Sequence, residues 1–161
     1  MIDFHTADLC DEHESLVDVA EPMFTSYGGR RSFGGPIVTL KVFEDNSYVA
    51  QTATASGKGR VLVVDAGGSL RCSIVGDNVA QTACDSGWAG LLIFGAVRDS
   101  RAIAGIHIGL QALGTVPRRS IKSNVGQRDL PVRFAGITFT PGNYVYCDED
   151  GVLVAPRDLL A

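Results

Sequence analysis

A chain of 161 residues has room for one domain, since domains usually run to about 100–200 residues, and a single unit over residues 1–161 is the simplest expectation. With 45% hydrophobic and 20% charged residues, and no long polar or single-sign run, the composition excludes a disordered chain. Fourteen Lys plus Arg against 18 Asp plus Glu, a net charge of −4, give no global field to attract a polyanion, so a nucleic-acid binder is not expected.

Thr6 is placed to cap a short first helix, TADLCDEHE, whose early acidic residues suit the helix dipole. From Val17 to Asn46 the segment is β-rich, punctuated by Gly28–Gly29 and Gly34–Gly35, and PIVTLKVF reads as a strand. Residues 46–56 predict a short helix. GRVLVVDAGG is a continuous apolar run ending in glycine, the pattern of a strand buried on both faces that leads into a tight loop. A helix is predicted from Gly76 to Ser86, with Val79, Ala80, Ala83 and Cys84 at helical spacing and Gly87 ending it. AGLLIFGAV is a second apolar strand, so strand, helix and strand make a βαβ unit, right-handed by default. A short helix at Ser100–Ala104 and a third strand within IHIGLQALGTVP follow. The last third, VRFAGITFTPGNYVYCDEDGVLVAPRDL, alternates strands with the turn signals Pro141-Gly142-Asn143 and Asp150-Gly151. The predicted fold class is α/β, a single mixed domain with a parallel βαβ core flanked by antiparallel strands.

No stretch approaches the roughly 18 apolar residues of a membrane span, and the acidic MIDFHTADLCDEHE lacks the apolar segment of an export signal. A cytoplasmic protein is therefore expected. Cys10, Cys72, Cys84 and Cys147 show no CxxC pair or zinc spacing and are expected as reduced thiols. His5, His13 and His107 have neither triad-like nor metal-like spacing. A Schiff-base aldolase would need Lys41, Lys58 or Lys122, and Lys41 in TLKVF is expected on the solvent face of its strand. Arg30-Arg31 and Arg118-Arg119 are expected as loop charges or subunit contacts.

Open α/β sheets bind ligands beyond the carboxyl ends of their parallel strands, which singles out the loops after VLVVD and LLIFG. The first, AGGSLRCSIVGDN, runs into a helix opening with Gly76, Asp77, Asn78 and Val79, whose N–H groups suit a carboxylate or phosphate. Asp77 can equally serve only as that helix's cap. The second begins GAVRDS and sets Arg98 and Asp99 just past a buried strand, where an arginine can fork onto a carboxylate and an aspartate can hold a divalent metal. The 19 glycines exceed the ~7% of average usage. Gly67, Gly68, Gly76 and Gly95 border these loops, and Gly95 is expected to let its strand turn and present Arg98 and Asp99.

The segments ADLCDEHE, EPMFTSYGGRRSFGGPIVTLKVFEDN, GRVLVVDAGGSLRCSIVGDNVA, GWAGLLIFGAVRDS, IGLQALGTVPRRS and GITFTPGNYVYCDEDGVLVAP resemble the RraA-like family over nearly the whole chain. That family includes class II 4-hydroxy-4-methyl-2-oxoglutarate aldolases and the regulator of ribonuclease E activity. Its aldolases carry an Asp, twenty residues, then Arg-Asp, and Asp77, residues 78–97 and Arg98-Asp99 fit that pattern. The Arg-Asp pairs at 128–129 and 157–158 have His107 and Gly136 where the Asp should stand.

The resemblance implies a swivelling β/β/α-type fold and a divalent-metal-dependent lyase, one that cleaves 4-hydroxy-4-methyl-2-oxoglutarate through a pyruvate enolate and also decarboxylates oxaloacetate. It implies that the amides of Gly76, Asp77, Asn78 and Val79, with the Arg98 guanidinium, bind a small 2-oxo acid. Asp99 would be the protein ligand of Mg²⁺ or Mn²⁺, and Asp77 would act through ordered water nearby. It implies a homotrimer with sites near subunit interfaces. The alternative is a protein-binding regulator that inhibits ribonuclease E without chemistry, a type that lacks the acid supplied here by Asp99. Longer aldolases extend at the C-terminus and lend a carboxylate to a neighbouring site. This sequence ends at PRDLLA, so oxaloacetate decarboxylation is expected to be the stronger activity.

Overall fold

The computed structural model describes residues 3–161. Helix α1 (Thr6–Glu12) is followed by the short strands β1 (Asp18–Val19) and β2 (Thr25–Ser26). The N-cap of α1 is His5, and Thr6 is its first helical residue. The Thr6 amide and hydroxyl each donate to the Asp148 carboxylate at 2.6 Å, so the cap expected from the helix's own sequence comes from the far end of the chain.

Strand β3 (Phe33–Lys41) begins ahead of the predicted PIVTLKVF and leads through α2 (Ser47–Ala53) to β4 (Val61–Asp65). β3 and β4 pair in parallel, which makes a βαβ crossover before the predicted one. Then comes β5 (Ser73–Val75), a strand inside the segment that the sequence presents as a loop, followed by α3 (Asp77–Asp85) and β6 (Gly90–Val97). Gly87, at φ +84°, follows the end of α3 as predicted. After α4 (Ser100–Ile103), β7 (Gly109–Thr115) extends the parallel set against β6. β8 (Gln127–Arg128) pairs antiparallel with β3, and β9 (Val132–Phe134) with β10 (Ile137–Phe139) forms a separate hairpin. β11 (Tyr144–Cys147) and β12 (Val152–Ala155) close the chain's second hairpin, which joins β3 antiparallel. The sheet order is β1-β12-β11-β3-β4-β6-β7-β2, a parallel centre with antiparallel flanks, as predicted.

Every residue of β4 is buried because both faces of the sheet are covered. Leu62 and Val64 pack with Val49 of α2 and Ala80 and Ala83 of α3. Val61 and Val63, pointing the other way, pack with Val145, Val154 and the β9–β10 hairpin. Phe134 on that hairpin stacks on Phe94 and Phe139, with ring centroids 4.8 and 4.4 Å apart. Phe33 lies directly over Gly90 and Gly109, where an added Cβ would meet its ring at 2.2 and 2.1 Å. A third, smaller core joins Phe4 and Leu9 to Tyr146 and Leu159, under α1 and the C-terminal segment. Among the described residues no helix is long and apolar enough to cross a membrane.

Candidate functional site

β4 pairs with β6 only as far as Phe94, and β5 takes over alongside the carboxyl end of β6, with Val75 opposite Val97. That pairing sets the start of α3 next to the residues that follow β6. The Arg98 amide donates to the Val75 carbonyl at 2.9 Å, tying the two segments together. The two loops singled out in the sequence thus meet in one cleft of about 170 Å³, lined in part by Gly76, Asp77, Asn78, Val79, Arg98 and Asp99.

Asp99 makes the turn out of β6. Its backbone is left-handed, φ 57° and ψ 37°, a conformation that aspartate tolerates better than most residues, and its carbonyl accepts the first hydrogen bond of α4 from Ile103. Gly95 plays another part than the one expected. It lies inside β6, where a Cβ would meet that of Ala66 at 2.8 Å, at an irregularity in the pairing with β7, and the strand continues past it to Val97. Gly76 is the N-cap of α3 and Asp77 its first residue, so Asp77 is not the cap. The Asp99 Oδ2 atom accepts the Asp77 amide at 3.1 Å and lies 4.0 Å from Arg98 Nε. A Cβ at Gly76 would stand 2.7 Å from this Oδ2, so only glycine leaves the carboxylate its present place. The Asn78 amide donates to Asp77 Oδ1 at 2.8 Å. Two amides at the positive end of α3 are therefore satisfied by the protein's own carboxylates, which a ligand anion would have to displace.

The cleft also holds residues that the sequence did not place beside Asp77 and Arg98. Asn46, Ser73, Arg119, Ser120 and Lys122 line it. The Ser73 amide donates to the Arg118 carbonyl at 2.7 Å, laying residues 118–122 beside β5. The Asn46 amide donates to Ser120 Oγ at 3.1 Å, and next to it the buried Asp45 carboxylate accepts from the Ser47 amide and hydroxyl and from the Ser123 and Val125 amides. Burial opposes the charge on Asp45, but these donors outweigh it and hold the carboxyl below its usual range. In the sequence only Arg118-Arg119, as loop charges or subunit contacts, and Lys122, as a candidate amine, marked this side of the cleft. Arg98 reaches the Pro117 carbonyl at 3.5 Å.

The other sequence candidates lie elsewhere. Lys41 is exposed at the end of β3, as predicted, and Lys58 is exposed in a loop. His5 and His13 flank α1, and His107 is exposed before β7. Among the described residues no three His, Cys, Asp or Glu side chains cluster as a metal cage, and the carboxylates lining the cleft are Asp77 and Asp99.

Comparison with known proteins identifies the family. The RraA-like family, described as Aldolase/RraA, matches residues 6–154. A Pseudomonas syringae pv. tomato protein named "Putative 4-hydroxy-4-methyl-2-oxoglutarate aldolase" is 55% identical over 96% of this chain and 95% of its own. A protein of the same name from Aromatoleum aromaticum is 52% identical over 99% of this chain and all of its own. Among solved structures, one from Geobacillus kaustophilus titled S-adenosylmethionine: 2-dimethylmenaquinone methyltransferase superposes with a TM-score of 0.95 at 48% identity, covering 98% of each chain. The RNA-processing inhibitor RraA from Thermus thermophilis superposes at 0.93 with 40% identity, over 97% of this chain and 94% of that one. The match over nearly the whole chain, on the fold described above, makes this protein a member of the RraA-like family.

Proposed function

We propose that the protein is a divalent-metal-dependent lyase that cleaves 4-hydroxy-4-methyl-2-oxoglutarate to pyruvate through an enolate and also decarboxylates oxaloacetate, working as a cytoplasmic homotrimer. The observation that carries this reading is the meeting of Arg98, Asp99 and the positive end of α3 in one small cleft. A cleft of about 170 Å³, below the ~300–1,000 Å³ of drug-sized sites, suits a small oxo acid better than a nucleoside cofactor.

The donor set fits Mg²⁺ or Mn²⁺. Asp99 offers a hard carboxylate, 40% exposed, and an ion of this kind keeps much of its water and needs only one or two protein carboxylates. When bound, such an ion supplies the Lewis acid that steadies the enolate charge. The remaining work falls to the chain's own groups. The Arg98 guanidinium forks onto the pyruvyl carboxylate and keto oxygens, while the Asp77 amide stays with Asp99 Oδ2 and the Asn78 amide, exchanging Asp77 Oδ1 for the substrate, joins the Val79 amide on the same carboxylate at the helix end. Asp77 orients the water that takes the 4-hydroxyl proton. Both reactions release the same enolate, so a site that stabilises one supports the other.

The test is pyruvate release from 4-hydroxy-4-methyl-2-oxoglutarate and from oxaloacetate with Mg²⁺ or Mn²⁺. EDTA should abolish it, and so should Asp99→Asn, which removes the charge while tolerating the left-handed backbone. No metal-dependent release from either substrate would refute the reading. Likeness to the Thermus RNA-processing inhibitor favours a second reading, a ribonuclease E regulator. Capture of ribonuclease E by a protein without turnover would decide for it.

A further inference from the structure

Away from the cleft, a cavity of about 320 Å³ opens between α2 and the end of β8, within the ~300–1,000 Å³ of small-molecule sites. Its floor is apolar, with Leu40 and Trp88 both buried. Trp88 precedes β6 whereas Arg98 follows it, so the eight residues of that strand, roughly 26 Å of extended chain, separate the indole from the cleft.

Two arginines line this cavity, each laid over an aromatic ring. The Arg60 guanidinium carbon is 5.1 Å from the Trp88 ring centre, and that of Arg128 is 3.8 Å from the ring centre of Tyr48 on α2. Hydrogen bonds fix both heads. Arg60 donates from Nε to the Gly57 carbonyl at 2.9 Å and from Nη2 to the Ser56 carbonyl at 2.8 Å, and Arg128 Nη2 donates to Gln51 Oε1 at 2.7 Å. The Trp88 indole N–H is committed to the Ala55 carbonyl at 3.0 Å, which holds the ring in place. The backbone behind Arg128 is equally ordered. Asp129, left-handed at φ 58° as Asp99 is at 57°, turns the chain out of β8, and its amide donates to the Thr39 carbonyl at 3.1 Å.

What the cavity lacks is a counter-ion. Among the described residues neither arginine takes part in an ion pair, and Nη1 of both, with Nε of Arg128, has no acceptor. Asp129 supplies the single carboxylate of the lining, which leaves two cations against one anion.

We propose that this cavity is a second ligand site, separate from the cleft, for a monocarboxylate carried on a compact apolar body, an arene carboxylate being the simplest case. The free guanidinium N–H groups donate to the carboxylate, whose one charge matches the net charge of the lining, and Val38, Leu40 and Trp88 cover the apolar body. The site stands independently of the lyase reading, because none of its residues lines the cleft.

Trp88 is the only tryptophan in the chain, so its emission reports on the site directly. The experiment titrates the protein with benzoate, with benzamide, which keeps the shape without the charge, and with acetate, which keeps the charge without the ring. Benzoate should change the Trp88 emission and bind about tenfold or more tightly than either, the scale of one charge-assisted hydrogen bond or one buried ring. Arg128→Gln, at an exposed position, should bring benzoate down to the benzamide level and leave benzamide within about twofold. Arg60→Gln, which removes the second guanidinium, should act in the same direction. Arg98→Gln should leave the benzoate response within about twofold, since Arg98 belongs to the cleft. No benzoate response, equal affinity for benzoate and either control, affinity that survives both Arg128→Gln and Arg60→Gln, or affinity lost with Arg98→Gln overturns the site.

Discussion

Replacing Gly76 by alanine should weaken divalent-metal binding while leaving the fold in place. The backbone at Gly76 is extended, φ −118° and ψ −168°, which alanine adopts without strain. The new methyl carbon would sit 2.7 Å from Asp99 Oδ2, where ordinary contact begins at 3.4 Å. Asp99 cannot yield through its backbone, because its carbonyl holds the Ile103 amide at 2.9 Å at the start of α4. Its carboxylate must move by roughly 0.7 Å, which stretches the 3.1 Å bond from the Asp77 amide past the limit of a useful hydrogen bond. Losing a hydrogen bond to a charged group costs on the order of 1.5–3 kcal/mol. With the carboxylate unanchored, Mn²⁺ affinity should fall about tenfold or more. With about 1 kcal/mol for exchanging a glycine N-cap for alanine added to that lost bond, the fold should be destabilised by roughly 2.5–4 kcal/mol, a fall in Tm on the order of 10 °C. Calorimetric Mn²⁺ titration beside a thermal melt separates the two effects. An affinity unchanged to within about twofold in a folded variant would refute the claim that Gly76 positions the ligand of the metal.

Asp45 sets an acid limit on the arrangement of the cleft. Its folded pKa lies below the unfolded value of about 3.9, so its stabilisation is complete above roughly pH 4 and is lost as pH falls through the lower folded value. Urea melts should show Asp45→Asn weaker than the native protein by on the order of 2 kcal/mol at pH 7, with the gap narrowing as pH falls below about 4; a gap independent of pH would count against this account. Thiol labelling tests the packing separately. Burial pushes the Cys147 thiol well up, and burial followed by the nearby Glu44 raises Cys72, while Cys10 and Cys84 are partly exposed. Mass spectrometry after native maleimide treatment should find label on Cys10 and Cys84 first, with all four modified only on unfolding, and equal rates would contradict the burial of β11.

Element type was legible in the sequence wherever a local pattern sufficed. The apolar run of β4 announced a strand covered on both faces, and the spacing of Ala80 and Ala83 announced the buried side of α3. That the loops carrying Asp77 and Arg98-Asp99 lie together was also legible, because they belong to one βαβ unit, while the grouping of these three residues came from the resemblance to the RraA-like family. β5 was not legible. A strand of three residues carries too little periodicity to register, and it exists through its pairing with β6.

The sequence by itself determined the α/β class, the order of the main elements and the residues around which one end of the cleft is built, since side-chain periodicity and turn chemistry act over a few residues at a time. Only the tertiary structure decided the other end. Asn46 reaches the cleft through Ser120, Arg119 and Lys122 through the alignment of residues 118–122 with β5, and the capping of α1 through Asp148. Each of these contacts joins segments far apart in the chain. Their strength comes from sheet register and from buried carboxylates collecting distant amides, and no local window of sequence encodes which distant partner will be met.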